Sequence, residues 1–307
     1  MSHQFGFVMV RSEIEQSGEV FDRTIASYVN VLERMGGEPR SQQDFDSPHP
    51  LVYFMTTGGT EQALLDIRRI RRKTARSEPI LILAHPAYNS LPASLEVLAR
   101  LQQDEERGRI FYFKSAQDND TLSELESVLR DIATSMKLQR SRIGLVGDPS
   151  DWLVASSPAA DTVKDVWGPQ VVPVSINEIK RLIKAVQSDA IQPVVKALKG
   201  KAVEVREPSP VDLENVVRVY LALKKVIEKH DLQALTIRCF DLVLGLQTTG
   251  CFGLAQLTDD GFIAGCEGDL VSAVGMMWVK ELLNETPWMA NPAQLDERTN
   301  PLWLAHC

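Results

Sequence analysis

The sequence is poor in the features that mark specialised classes of protein. Cysteine is scarce: four in 307 residues, Cys239, Cys251, Cys266 and Cys307, with no CxxC pair among them. That argues against a disulfide framework and a structural zinc site, and leads us to expect reduced thiols in a cytoplasmic protein. No apolar run approaches the roughly 18 residues of a membrane-spanning helix. The start, "MSHQFGFVMVRSE", has no basic stretch followed by a long apolar one, which argues against a signal peptide. Basic residues are in deficit, 33 against 41 acidic, and a net charge of −8 offers no footprint for nucleic acid or an anionic membrane. Nucleophile elbows, zinc-protease helices, phosphate loops and GxGxxG fingerprints are all missing.

What is present is an ordinary globular composition, 44% hydrophobic and 24% charged, on a chain longer than one small core holds. Two domains, or one large α/β unit, are expected. "FGFVMV" (5–10), "LVYFMT" (51–56), "PILILAH" (79–85) and "RIFYFK" (109–114) read as buried strands. Between them 20–37, 60–76, 91–108 and 119–139 have helical spacing, the first with a Gly-Gly stop. Such alternation predicts a parallel, doubly wound sheet with helices on both faces. We place a boundary near residue 140. A second strand series follows at 141–148, 170–175, 234–240 and 261–267, with helices at 176–187, 211–231 and 270–285. The tail from Thr286, rich in Pro and Asn, reads as irregular, and no internal repeat or low-complexity segment is present.

The chemistry-bearing residues fall at the ends of these strands. "AGCEGDLVSAVGMMW" (264–278) holds two carboxylates, Glu267 and Asp269, in an otherwise uncharged run. Buried carboxylates are costly unless donors or a cation compensate them. Residues two apart on a strand share a side, so both carboxylates can face one space at its carboxyl end, where open α/β sheets bind ligands. Gly265 and Gly268 permit close backbone approach there, and an oxygen-rich pocket suits Mn²⁺, Mg²⁺ or Co²⁺. The plainer reading is that Asp269 caps helix 270–285 and Glu267 is solvated. "IRCFDLV" (237–243) has the same shape, an apolar strand ending in Asp241. Between the two, Thr248, Thr249 and Gly250 are small enough to line a pocket, while Asp259-Asp260-Gly261 reads as a turn. "MTTGGTEQ" (55–62) joins a strand to a helix whose free N–H groups can bind an anion or a substrate oxygen, or simply turn the chain. "AHPAYNSLPASLE" (84–96) ends a strand with His85, Asn89 and Ser90, which are ligand contacts or a structural histidine with helix caps. His306, next to last, is a possible third metal ligand or part of a frayed terminus.

Taken together, "RCFDLV", "TTGCFGLAQLTDDGFIAGCEGDLVSAVGMMW" and "ANPAQLDERTNPLWLAHC" resemble the L-fucose/L-arabinose isomerase family, in particular its fucose isomerase-like members. The resemblance is most specific over 234–307, and "TTGGTEQ" and "NSLPASLE" share it. It implies two Rossmann/flavodoxin-like domains in tandem, 1–140 contacting substrate and other subunits and 141–307 carrying metal carboxylates. In the family a C-terminal β domain follows, which here is expected to be largely absent. The implied activity is aldose–ketose isomerisation of a monosaccharide through a cis-enediol, with Mn²⁺ or a similar cation, in a trimer or hexamer. Asp269 matches the family's second metal carboxylate. Asp241 stands where the first is expected, although the fucose isomerases have Glu there. His306 of "LAHC" resembles the family's histidine ligand, and Glu267 is expected as a ligand or its neighbour. Thr56, Thr57, His85 and Asn89 are the candidates for holding sugar hydroxyls.

Moving a carbonyl between C1 and C2 requires a base at carbon and a group that handles the hydroxyl proton, roles two carboxylates can share. A bound cation would act as Lewis acid and template. Because family members continue past this histidine, two alternatives remain open: a non-catalytic sugar-binding or regulatory protein, and one half of a split isomerase.

Overall fold

The computed structural model describes residues 4–12, 18–41 and 44–306. The chain divides into two compact units, Met1–Lys137 and Leu138–Cys307. Among the described residues no helix is long and apolar enough to cross a membrane.

The first unit runs β1 (Phe5–Val10), α1 (Glu19–Arg34), β2 (Gly37–Pro39), β3 (Leu51–Met55), α2 (Glu61–Arg71) and β4 (Ile80–Ala84). It continues through α3 (Ser90–Gln103), β5 (Gly108–Tyr112) and α4 (Asn119–Gln139), which carries the chain across the division. The strands pair in parallel in the order β2-β1-β3-β4-β5. Burial on both faces explains the unbroken apolar runs of β3 and β4. Phe5, Phe7, Val52, Phe54, Leu81 and Leu83 face one core, built with α1 and α4. Val8, Val10, Tyr53, Met55, Ile80 and Ile82 face the other, built with α2 and α3. Each such side chain withdrawn from water contributes roughly 1.5–3 kcal/mol.

The second unit runs β6 (Arg142–Val146), a short α5 (Ala160–Thr162) continued by a π-helical turn, β7 (Gln170–Val174), α6 (Ile176–Ala185), α7 (Ser188–Lys201) and α8 (Pro210–His230). Then come β8 (Ala234–Ile237), α9 (Phe240–Leu246), α10 (Cys251–Asp259), β9 (Ile263–Cys266), α11 (Leu270–Leu283) and the pair β10 (Asn291–Leu295) and β11 (Leu302–Ala305). Strands β7-β6-β8-β9 form a second parallel sheet. Leu235, Ile237, Ala264 and Cys266 face a core with α8, while Ala234 and Ile263 face one with α11. Ser209 starts α8 with a capping box shared with Asp212, and Pro210 follows it where its missing N–H does no harm. Both units are therefore doubly wound α/β folds of the Rossmann/flavodoxin-like kind.

Several local details differ from the expectations. The strand expected over 234–240 stops at Ile237, so Asp241 lies in the first turn of α9 instead of ending a strand. A short apolar run has no period that separates a strand from the buried start of a helix. The helices α7 and α10 and the short strand β2 were not anticipated. The tail is partly regular: β10 and β11 pair antiparallel and are exposed throughout.

One buried ion pair organises the first unit. Arg71 donates to both carboxylate oxygens of Glu78, at 2.6 and 3.2 Å, and to the carbonyls of Phe45, Ser47 and His49. Glu78 in turn accepts from Leu51 N at 2.9 Å, at the start of β3. Both side chains are almost wholly buried. Arg71→Met should therefore strand a buried carboxylate and three carbonyls, with a loss of about 3–5 kcal/mol in denaturant unfolding. Arg72→Met removes a half-exposed guanidinium from Glu106 but leaves that carboxylate paired with Arg68, and should change stability by no more than about 1 kcal/mol.

Candidate functional site

In an open parallel sheet, ligands bind beyond the carboxyl ends of the strands, where the chain reverses its winding direction. In the second unit that point lies between β6 and β8, because β7 is laid down on one side of β6 and β8 on the other. Three loops meet there. Gly147–Trp152 follows β6, Arg238 and Cys239 with the first turn of α9 follow β8, and Glu267–Asp269 follows β9.

Backbone bonds tie these loops together. Ser150 N donates to the Glu267 carbonyl at 2.9 Å, Gly268 N to the Ile237 carbonyl at 3.1 Å, and Arg238 N to the Val146 carbonyl at 3.0 Å. Glu267 and Gly268 both have positive φ, +64° and +74°. A Cβ at Gly268 would stand 2.8 Å from Pro149 Cα, so only glycine lets the two loops approach.

The side chains form a polar and aromatic cluster on this frame. Arg238 grips Asp151 with two hydrogen bonds, at 3.2 and 3.1 Å, and donates to the Pro149 carbonyl at 2.9 Å and to Asp241 Oδ1 at 3.2 Å. The guanidinium holds the Asp151 carboxyl below the usual carboxylate range. Trp152 Nε1 donates to Glu267 Oε2 at 2.7 Å, and its exposed ring meets the edge of Phe240 at 5.3 Å between centroids. The hydroxyl of Ser150 is buried there with no hydrogen-bond partner, which is unusual for a polar group out of water, and the Thr248 hydroxyl, in the segment between α9 and α10, shares that condition.

Asp269 takes the plainer of its two readings. It N-caps α11, accepting from Ser272 N at 2.8 Å and Ser272 Oγ at 2.7 Å. His306 lines a cavity of about 360 Å³ with Cys251, Asp259, Cys266, Trp288 and Met289, and none of Asp241, Glu267 or Asp269 is in that wall. Cys307 lies outside the described residues. Among the described residues no three His, Cys, Asp or Glu side chains are gathered as a cation would require. The carboxylates are instead held by Arg238, Trp152 and Ser272, so as placed they do not fit a divalent ion. Thr249 is exposed, and Asp260-Gly261 forms the turn expected of it.

In the first unit the reversal lies between β1 and β3, and Thr56 and Thr57 follow β3 there. Both are buried and engaged with backbone: Thr56 Oγ1 donates to the Val10 carbonyl, and Thr57 Oγ1 accepts from Ser12 N. His85 is also buried, its ring against Tyr28, Phe54 and Tyr88. Its Nε2 lies 3.0 Å from the Thr56 carbonyl, and Ala87 N approaches Nδ1 at 3.4 Å, an arrangement that fits a neutral ring protonated at Nε2. Of the four residues proposed to hold sugar hydroxyls, Asn89 is the exposed one, in a left-handed turn before α3.

The sequence alone did not single out Arg238, Trp152, Phe240 or Ser150. Arg238 was visible as a lone charge closing an apolar run, but Trp152 and Ser150 come from a loop with no periodic signal.

No family model matches the sequence. Curated relatives are sugar isomerases. The chain is 24% identical over 199 residues to the sulfoquinovose isomerase of Alkalicoccus urumqiensis, covering 64% of this chain and 45% of that one. It is 27% identical over 173 residues to the sulfoquinovose isomerases of Priestia aryabhattai and Priestia megaterium, covering 55% of this chain and 38% of theirs. The chain thus spans less than half the length of these relatives.

Burial lowers the His85 pKa below its ordinary 6.5, against the opposing pull of the Thr56 carbonyl. Above that value the ring is neutral folded and unfolded. Below it the unfolded chain takes up a proton that the buried ring resists, so stability falls as pH falls. Thermal unfolding across this range should show that loss in the parent protein and a shallower one in His85→Gln.

Proposed function

We propose that this chain belongs to an aldose–ketose isomerase and that the carboxyl edge of its second sheet handles the proton transfer. The observation that carries this reading is the convergence of Arg238, Asp241, Trp152 and Glu267 at the winding reversal of that sheet. The similarity to sulfoquinovose isomerases supports the reaction class.

The reaction removes a proton from the carbon beside a carbonyl and returns it to the neighbouring carbon, with a matching shift of a hydroxyl proton. Glu267, partly exposed and held by Trp152, serves as the base at carbon. Asp241 takes and returns the hydroxyl proton, and Arg238, 3.2 Å from it, offsets the negative charge that develops on the sugar oxygens. Trp152 and Phe240 offer exposed ring surface to the C–H face of a sugar. A divalent cation would supply Lewis acidity, but the carboxylates as placed do not assemble a site for one, and no step is assigned to it. Assembly into a homo-oligomer belongs to the same proposal.

Two measurements test the reading. Incubated in D₂O with sulfoquinovose, L-fucose and L-arabinose in turn, the protein should wash deuterium into C2 of one of these sugars, followed by NMR. Glu267→Gln and Asp241→Asn should each slow this by roughly 10²–10⁴-fold. Saturable sugar binding without exchange in the parent protein would favour a non-catalytic sugar-binding protein instead. Calorimetric titration with Mn²⁺ should reveal no saturable tight site on this chain, and a site that disappears in Asp241→Asn would show that the carboxylates rearrange to gather one.

A further inference from the structure

Cys239 and Cys266 stand 27 residues apart in sequence, yet their sulfurs are 2.9 Å apart. Parallel pairing of β8 with β9 sets Ile237 beside Cys266, and Cys239 follows two residues later as the N-cap residue of α9. Both thiols are buried, at 5% and 3% exposure, so neither sits where bulk solvent reaches it freely. Cys266 nevertheless lines the cavity of about 360 Å³ described above, and Cys239 does not. Cys266 thus borders a space that a small molecule can occupy, with the Cys239 sulfur in contact with its own. The proton transfer proposed above uses neither.

We infer that Cys239 and Cys266 form a peroxide-responsive dithiol, a covalent modification site in which Cys266 meets the oxidant and Cys239 closes the disulfide. The chemistry balances without any group beyond the peroxide. Cys266 gives up its proton and its sulfur attacks one oxygen of hydrogen peroxide. The O–O bond breaks, the sulfur becomes a sulfenic acid, and the departing hydroxide leaves as water with that proton. The Cys239 sulfur then attacks the sulfenic sulfur. The S–S bond forms, the S–O bond breaks, and the second hydroxide leaves as water with the Cys239 proton. Two thiols lose two electrons and the peroxide gains them. A small oxidant is required because a bulky disulfide cannot reach a sulfur buried this far. Small side-chain rotations bring sulfurs already in contact to bonding distance. The bridge ties the joint that carries Asp241 to the turn that carries Glu267. It stands independently of the isomerase reading, because its readout is covalent.

The test is peptide mapping of the native 307-residue chain after brief exposure to hydrogen peroxide. The expected result is one intramolecular link between the peptides holding Cys239 and Cys266, reversed by dithiothreitol, with loss of two of the four thiols. Cys251→Ser should form the same link. Cys239→Ser should stop at a sulfenic acid on Cys266, captured by dimedone, and Cys266→Ser should leave Cys239 unmodified. Linkage through Cys251 or Cys307, an intermolecular disulfide, or no link in the native parent chain would each overturn the inference. The result on the parent chain decides the matter even where a serine variant fails to fold.

Discussion

Parallel strand pairing is the constraint on which everything else in this protein depends. A parallel strand must be reached by a crossover, so each strand ends in a loop on the same edge of its sheet. In the second unit this gathers the loops after β6, β8 and β9, although they are separated in sequence by dozens of residues. Without that edge Arg238 would not meet Asp151, Trp152 would not meet Glu267, and the sulfurs of Cys239 and Cys266 would not touch. The demand for close packing extends to the turn itself, where Gly268 lies against Pro149 with no room for a side chain.

The two units use the same architecture differently. In the first, the polar groups at the winding reversal are turned inward: Thr56, Thr57 and His85 satisfy backbone donors and acceptors that the strand ends leave behind. Such groups hold a loop in shape, because a buried polar atom must find a partner. In the second, the corresponding edge keeps exposed aromatic rings, a partly exposed Glu267 and the unpartnered buried hydroxyl of Ser150. That imbalance is why the proposed chemistry is placed on the second sheet. The relatives, sulfoquinovose isomerases that this chain matches over less than half their length, give the reaction class its support.

Most of the strand and helix positions were legible because burial on both faces of a parallel sheet leaves long apolar runs, as in "LVYFM" and "ILILA". The start of α11 was legible to the residue, because a carboxylate before an apolar run is a common helix cap. The end of β8 was not, because "IRCFDLV" is apolar across the joint between a strand and a helix. Asp269 offered two readings of equal sequence support, and the cap emerged only once Ser272 was seen to present both a backbone and a hydroxyl donor to it. A carboxylate at a helix start satisfies the same sequence pattern whether its oxygens face inward to the helix or outward to a ligand.

The sequence by itself determined the alternation of strands and helices, and with it the doubly wound class and the location of polar residues at strand ends. These follow from hydrophobic period and capping chemistry, which are local. Only the tertiary structure decided which of those residues share a site. It paired Arg238 with Asp151 and Asp241, drew Glu267 to Trp152, placed His306 in the wall of a separate cavity and brought two distant cysteines into contact. Proximity between loops is set by strand order and register, and neither leaves a local trace in the chain.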